Sequence, residues 1–415
     1  MFRFLTASLK HLAERVRAAL TALIRLFVLL PGALFAPALP LVLQTFGNYT
    51  TDERGDVGSL CREEAMDFIT RAPRSVLDAL MQAAVQGGQE PGDSPTDGVS
   101  VEGLVLQQML ERIDRTRVAA CVAMRRILFD QVDDDAQPGI TWPAGAAPGG
   151  LDSELLRSVF SAESLAPSFL DLGDLFTRAT ALLAREGAGF STSLLLGLSA
   201  SAGGGAAEAI MTAARTALLM RLLTLDASQR WSIASRWAAL LSKYAHHERL
   251  ASALVGTLRL LVESASLGGG GDGGEVAMLA VVRAVRKAIA TSGDMKKIAE
   301  GVYVLAWAIE WSEDAGGENI DSSAGTVTAA SVKRSAFGQL AVTLCSKFPR
   351  ARTITASALY TAALGRQVLR KGKTIDLLID TDWTGALKDV KPRRDLLCDM
   401  YGEPRPTPIK PAAQA

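Results

Sequence analysis

Histidine is almost missing from this chain. His11, His246 and His247 are the three in 415 residues, too few to build most metal centres or a relay of the Ser-His-Asp kind. Cysteine is nearly as scarce. Cys61, Cys121, Cys345 and Cys398 stand alone, without a CxxC pair or zinc-ligand spacing, so neither a disulfide framework nor a thiolate metal site is expected and a reducing cytoplasm fits the chain. There is no excess of either charge, because 44 Lys and Arg balance 44 Asp and Glu. That balance removes the long-range field that would gather nucleic acid or an anionic membrane, and neither is expected as a partner. Aromatic residues make up 6% of the chain and alternating β-branched runs are few, which argues against sheets.

What remains is rich in alanine and leucine and 48% hydrophobic, enough to bury a large core or several stacked ones. We read the class as all-α. One apolar face runs through Leu106, Met109, Leu110 and Ile113 and on through Cys121, Met124 and Leu128, as one long helix or a pair. Asp226 followed by Gln229 makes a capping box for a helix through Trp231, Ala234, Ala238 and Leu241. Asp294 is placed to cap a helix through Ile298, Val302, Leu305 and Ile309. Loops are expected near 87–98, 133–150, 268–274 and 313–325, where Gly, Pro and acidic residues gather. Helical stretches separated by loops suggest a HEAT/armadillo-like α-solenoid of stacked helix pairs, and the chain length favours it over a single bundle. Two places share a turn residue, an Arg and then a small residue: Val57-Gly58 with Arg62 and Ala65, and Phe348-Pro349 with Arg352 and Ala356. HEAT-type repeats open their second helix in this way.

Residues 1–46 are set apart as an apolar helical N-terminal segment and a possible truncation edge, ahead of a helical-repeat domain over 47–415. Residues 26–51 carry no charge, but Pro31, Pro37 and Pro40 each remove a backbone donor that lipid could not replace, so solenoid helices are expected there and not a membrane span.

Several features invite chemistry and are better read as structure. The glycines around Asp272 lack the Gly-Lys-Ser/Thr and the preceding strand of a phosphate loop. Adjacent His246 and His247 point to different sides of any helix. Trp231 with Trp237 and Trp307 with Trp311 have the spacing of core packing, the second pair more clearly. Neither a bound cofactor nor a metal is expected.

Four blocks resemble the C-terminal region of the tubulin-folding cofactor D family. The first is Asn48-Tyr49-Thr50-Thr51-Asp52-Glu53-Arg54-Gly55-Asp56-Val57-Gly58, followed by Arg62-Glu63 and Ala65-Met66. The second is Gln107-Gln108-Met109-Leu110-Glu111-Arg112-Ile113-Asp114-Arg115, with Arg117 following. The third, Leu195-Leu196-Gly197-Leu198 with Ser201-Ala202-Gly203-Gly204, departs from the family at Gly205-Ala206-Ala207-Glu208. The fourth is the most specific: Phe348-Pro349-Arg350, Arg352, Thr355-Ala356-Ser357, Tyr360, Asp380-Thr381, Trp383, Arg394, Leu397-Cys398-Asp399 and Gly402 through Pro406.

The resemblance implies a chaperone that captures β-tubulin after the chaperonin, joins it to α-tubulin with the other tubulin-folding cofactors C and E, and also takes dimers apart. An Arl-type small GTPase is a further implied partner. It implies no enzyme active site, only assistance in trans to GTP hydrolysis on tubulin, and a cytoplasmic place at the microtubule cytoskeleton or centrosome. A scaffold for centrosomal or small-GTPase complexes that does not touch tubulin is the alternative. The candidate partner-binding residues are Asp52, Arg54, Asp56, Arg62, Arg350 and Arg352. Each has a second reading as an ion pair or brace between repeats, and both readings stay open at the level of sequence.

Overall fold

A computed structural model describes residues 15, 17–19, 21–22, 39–53, 55–87, 100–129, 151–185, 189–264, 267, 273–290, 292–314, 327–365 and 373–406. The N-terminal segment before Leu39 lies almost wholly outside them, as do most of the four expected loops. Glu313 and Asp314 finish a helix, however, and Gly274 begins one. Among the described residues no helix is long and apolar enough to cross a membrane.

The described chain is α-helical, as expected, with one small exception. Two-residue strands β1 (Thr51–Asp52) and β2 (Gly55–Asp56) form an antiparallel hairpin, with Thr51 opposite Asp56 and Asp52 opposite Gly55. No alternation of residues announces it, because its turn depends on one residue: Gly55 sits at φ +104°, where a side chain would be strained.

Two compact units divide the chain, Met1–Ser201 with Gly205–Leu218, and Ala202–Gly204 with Leu219–Ala415. The first contains α1 (Leu39–Thr45), α2 (Gly58–Arg71), α3 (Arg74–Gly87), α4 (Val101–Met109), α5 (Asp114–Leu128), α6 (Leu151–Val159), α7 (Leu172–Ala181) and nearly all of α8 (Ser191–Ala202). Within it α1 packs on α2 and α3, and α5 packs on both α2 and α4. The apolar run through Leu106 and Cys121 is thus a pair of helices, broken between Met109 and Asp114. The break is held by Arg117, whose Nη1 donates to the Glu111 carbonyl at 2.6 Å and whose Nη2 pairs with Asp114. All nine residues of α4 are buried, Glu102, Gln107 and Gln108 included. α8 approaches α4 closely, since a Cβ on Gly197 would lie 2.9 Å from the Gln107 carbonyl oxygen.

After α9 (Glu208–Leu223) the second unit runs through α10 (Ala227–Lys243), α11 (Glu248–Glu263), α12 (Gly274–Ile289), α13 (Met295–Asp314), α14 (Ala329–Thr343), α15 (Pro349–Gly365), α16 (Thr374–Asp380) and α17 (Leu387–Tyr401). Here each helix packs on the next but one: α10 on α12, α11 on α13, α12 on α14, α13 on α15. That is the contact pattern of a two-layer helical repeat, with α10, α12 and α14 in one layer and α11, α13 and α15 in the other.

The sequence explains the close stacking. α12 buries a face of Ala277, Val281, Ala284, Val285 and Ala288, small or β-branched, and a Cβ on Gly301 of α13 would meet Ile289 at 2.6 Å. Fully buried Leu254, Leu258 and Leu261 on α11 each contribute about 1.5–3 kcal/mol by leaving water. The expected caps form. Asp226 and Gln229 close a reciprocal box at the start of α10, and Asp294 Oδ1 accepts the amides of Lys296 and Lys297 at the start of α13. Trp231, Trp237 and Trp311 are core residues, though paired otherwise than their spacing suggests, and Trp307, expected in the core with Trp311, is only half-buried. Trp231 meets Trp311 edge to face at 5.5 Å between centroids, across two helices, and Trp237 is fully buried.

Candidate functional site

The first resemblance block folds around Arg62. This residue sits one turn into α2 with its side chain fully buried. Its Nη1 donates to the Asn48 carbonyl at 2.6 Å, its Nη2 pairs with Asp56 at 3.0 Å, and its Nε donates to Gln108 Oε1 at 2.9 Å. Glu111 lies 3.8 Å away on the other side, and the guanidinium stacks 4.1 Å above the Tyr49 ring. Tyr49 in turn accepts from Gln107 and Gln108 through its hydroxyl, at 2.8 and 3.2 Å. Gly58 makes the close approach possible, because a Cβ there would fall 2.3 Å from the Asn48 carbonyl oxygen.

Burial works against the charge on Arg62, but Tyr49, Glu111 and Asp56 outweigh it, and its pKa lies above the ordinary arginine value. The Tyr49 hydroxyl is pushed up by burial and by the Glu111 charge. The first two blocks of the sequence thus close into one polar knot that joins the hairpin, α2 and α4.

The fourth block folds around Arg352, which is buried at the start of α15. Its guanidinium spends itself on backbone carbonyls: Nε to Trp383 at 2.6 Å, Nη1 to Ser346 at 2.8 Å, and Nη2 to Thr384 at 2.9 Å and Gly385 at 2.8 Å. No fork other than arginine's supplies donors in this geometry. The turn so pinned is braced from within, since Trp383 Nε1 donates to the Leu378 carbonyl and Asp382 Oδ1 accepts the amide and hydroxyl of Thr384. Those bonds, the Thr384 hydroxyl's first, hold the Asp382 carboxyl below the usual range.

Between α15, α16 and this turn lies a groove of about 340 Å³. Thr353, Ser357 and Tyr360 form one wall, Leu378 and Ile379 the other, and Asp382 and Trp383 close the end. Ile379 is 60% exposed beside it. Hydroxyls, one carboxylate and an apolar floor can read a short polypeptide segment by hydrogen bonds and fit. No group of three or more His, Cys, Asp or Glu that could hold a metal ion occurs among the described residues.

The sequence-predicted residues therefore separate. Arg62 and Arg352 are corrected from partner contacts to internal braces, because burial leaves their guanidinium groups no face to offer another protein. Asp56 belongs to the Arg62 knot, with 5% of its side chain exposed. Arg350 is exposed on the first turn of α15, within the same helix as the groove wall. Arg54 lies outside the described residues, and the backbone of Asp52 is in the hairpin. Sequence reasoning missed Gln108 and Asn48 as partners of Arg62, and Asp382 and Thr384 at the groove. The adjacent glutamines in an otherwise apolar helix were the one available signal.

Residues 100–297 match the family model described as tubulin folding cofactor D C terminal. Over that stretch the chain is similar to the tubulin folding cofactor D family. The Gln107 and Leu195 blocks fall inside the cofactor D match, and so does the stack from α10 to α12. The Asn48 and Phe348 blocks fall outside it, so the Arg352 groove stands on its own geometry. No solved structure matches the chain.

Proposed function

We propose that this chain works as a tubulin-folding cofactor of the D type, holding β-tubulin after its release from the chaperonin and passing it into the heterodimer with α-tubulin and cofactors C and E. The observation that carries the reading is the cofactor D match over residues 100–297. The helical stack supports it, since repeats of this kind offer a broad rigid surface and spread affinity over many modest contacts. On this reading the chain performs no reaction of its own and assists GTP hydrolysis only on the tubulin it holds, in the cytoplasm and at the microtubule cytoskeleton. The thiols agree with a binding role. Burial pushes Cys61 and Cys398 up to about 11 and Cys121 up to about 12, which keeps them protonated and poor nucleophiles.

The groove beside Arg350 is the proposed client contact. Polar rims with an apolar centre are what folded clients meet at such surfaces. The test is a pull-down from cytosol with the whole chain as bait, probed for α- and β-tubulin and for cofactors C and E. Recovery of β-tubulin that drops with Arg350→Glu or Tyr360→Ala, at unchanged helical content, is the expected result. Recovery of an Arl-type GTPase or centrosomal proteins without tubulin would replace this reading with the scaffold one.

A further inference from the structure

Charge is sorted between the two layers of the second unit. α10 and α12 carry three cations each and α14 two, against Glu275 alone. α11, α13 and α15 carry six carboxylates against six cations, and most charges there meet, while Lys333 and Arg334 of α14 pair with Glu313 and Glu403. Arg259 bonds Glu263 and Glu300, and Lys297 bonds Glu248.

On the basic layer Arg283, Arg286 and Lys287 stand three and four residues apart, on one exposed side of α12. Lys243 is exposed at the end of α10. Like charges at this spacing destabilise a helix. The helix dipole offsets that for Arg286, Lys287 and Lys243, which lie in last turns, but not for Arg283. The contacts that position these cations are neutral: Arg286 donates to Ser335 Oγ at 2.9 Å and Lys287 to the Ser242 carbonyl at 2.9 Å. They tie α12 to α14 and to α10, fix the side chains, and leave the charge uncancelled.

We infer that this face of α10, α12 and α14 binds an acidic polypeptide segment. Two observations favour polypeptide over nucleic acid. The aromatic residues of these helices, Trp231, Trp237 and Phe337, are all buried, so no ring is presented for a base to stack on. The same layer instead exposes valines, Val276 at 60% and Val342 at 46%, which suit apolar side chains placed among acidic ones. Val276 precedes Arg283 by two helical turns and shares its side of α12. With a net charge of zero for the whole chain, attraction acts only at short range, where a segment already held nearby feels it. The inference does not depend on the partner being tubulin.

Fluorescence anisotropy on the whole chain tests it, with an oligoglutamate peptide carrying interspersed valines, its glutamine counterpart and single-stranded oligodeoxythymidine as probes. The acidic peptide is expected to bind more tightly than the glutamine one and to weaken as salt rises. The variant Arg283→Gln/Arg286→Gln/Lys287→Gln is expected to bind it at least about tenfold more weakly, a loss of roughly 1.4 kcal/mol. Arg283→Gln alone, which removes no bond to the fold among the described residues, shifts affinity in the same direction. Removing three cations from α17, with Lys388→Gln/Lys391→Gln/Arg393→Gln, leaves it nearly unchanged. No binding at low salt, equal binding by the α12 variant, or oligodeoxythymidine binding as tightly as the acidic peptide would each overturn the inference.

Discussion

Replacing Arg62 with Met removes a cation from between two buried carboxylates while keeping a side chain of similar length. Asp56 and Glu111 keep 5% and 1% of their side-chain surface exposed, so neither gains water when its partner goes. Breaking a buried pair in this way costs about 3–5 kcal/mol, since both carboxylates stay buried after the guanidinium between them is lost and the carbonyl of Asn48 loses its donor as well. Against a typical total of about 5–15 kcal/mol, that is a large share of one unit's stability. Urea unfolding followed by circular dichroism reads the loss. Because the chain has two compact units, the earlier transition is the one to fit. Glu111→Gln in the same background withdraws one stranded charge and is expected to return at least about 1 kcal/mol. A loss under about 1 kcal/mol for Arg62→Met, the scale of an exposed ion pair, would refute the knot and return Arg62 to the surface.

Gly58→Ala is expected to cost more than Gly55→Ala, because a Cβ at Gly58 meets backbone at 2.3 Å whereas Gly55 is limited only by its positive φ; thermal melts of the two variants compare them directly. Arg352→Lys keeps the charge but cannot reach four carbonyls, so the turn at 383–385 is expected to loosen and tryptophan fluorescence from Trp383 to shift red, with no shift counting against the brace. Stability is expected to fall as pH rises from about 9 towards 12. Cys61, Cys121 and Cys398 have folded-state values raised above the ordinary thiol, to about 11, 12 and 11, so the folded state holds these protons more tightly and the unfolded state gives them up first. Urea midpoints across that range check the sign, and alkylation at pH 8 should modify the three thiols only on unfolding.

Most helices were legible because their signals are local. Asp226 and Gln229 lie within one turn of each other, and the apolar face of α5 repeats at helical spacing. The HEAT-like starts at Gly58 and Pro349 both open helices, α2 and α15. What escaped the sequence depends on contacts made across the fold. Arg62 was visible as a charged residue in a motif, but nothing near it names Gln108 and Glu111, which α4 and the turn after it bring alongside. Trp231 and Trp311 pair because α10 and α13 are neighbours in the stack, a fact no helical spacing contains. The groove escaped for a related reason. Its end wall exists only because Arg352 gathers three consecutive carbonyls of a turn whose sequence, Trp383-Thr384-Gly385, has no strong preference for that course. Charge sorting was hidden by the balanced total, and it emerges once alternate helices are known to share a layer.

Tubulin binding by this chain is tested most directly by gel filtration of the purified chain with purified tubulin heterodimer, followed by immunodetection of each subunit. The expected result is a complex that retains β-tubulin, is weakened by Arg350→Glu, and forms without any change in covalent state of either protein. Separate elution of chain and tubulin at every salt concentration would contradict it.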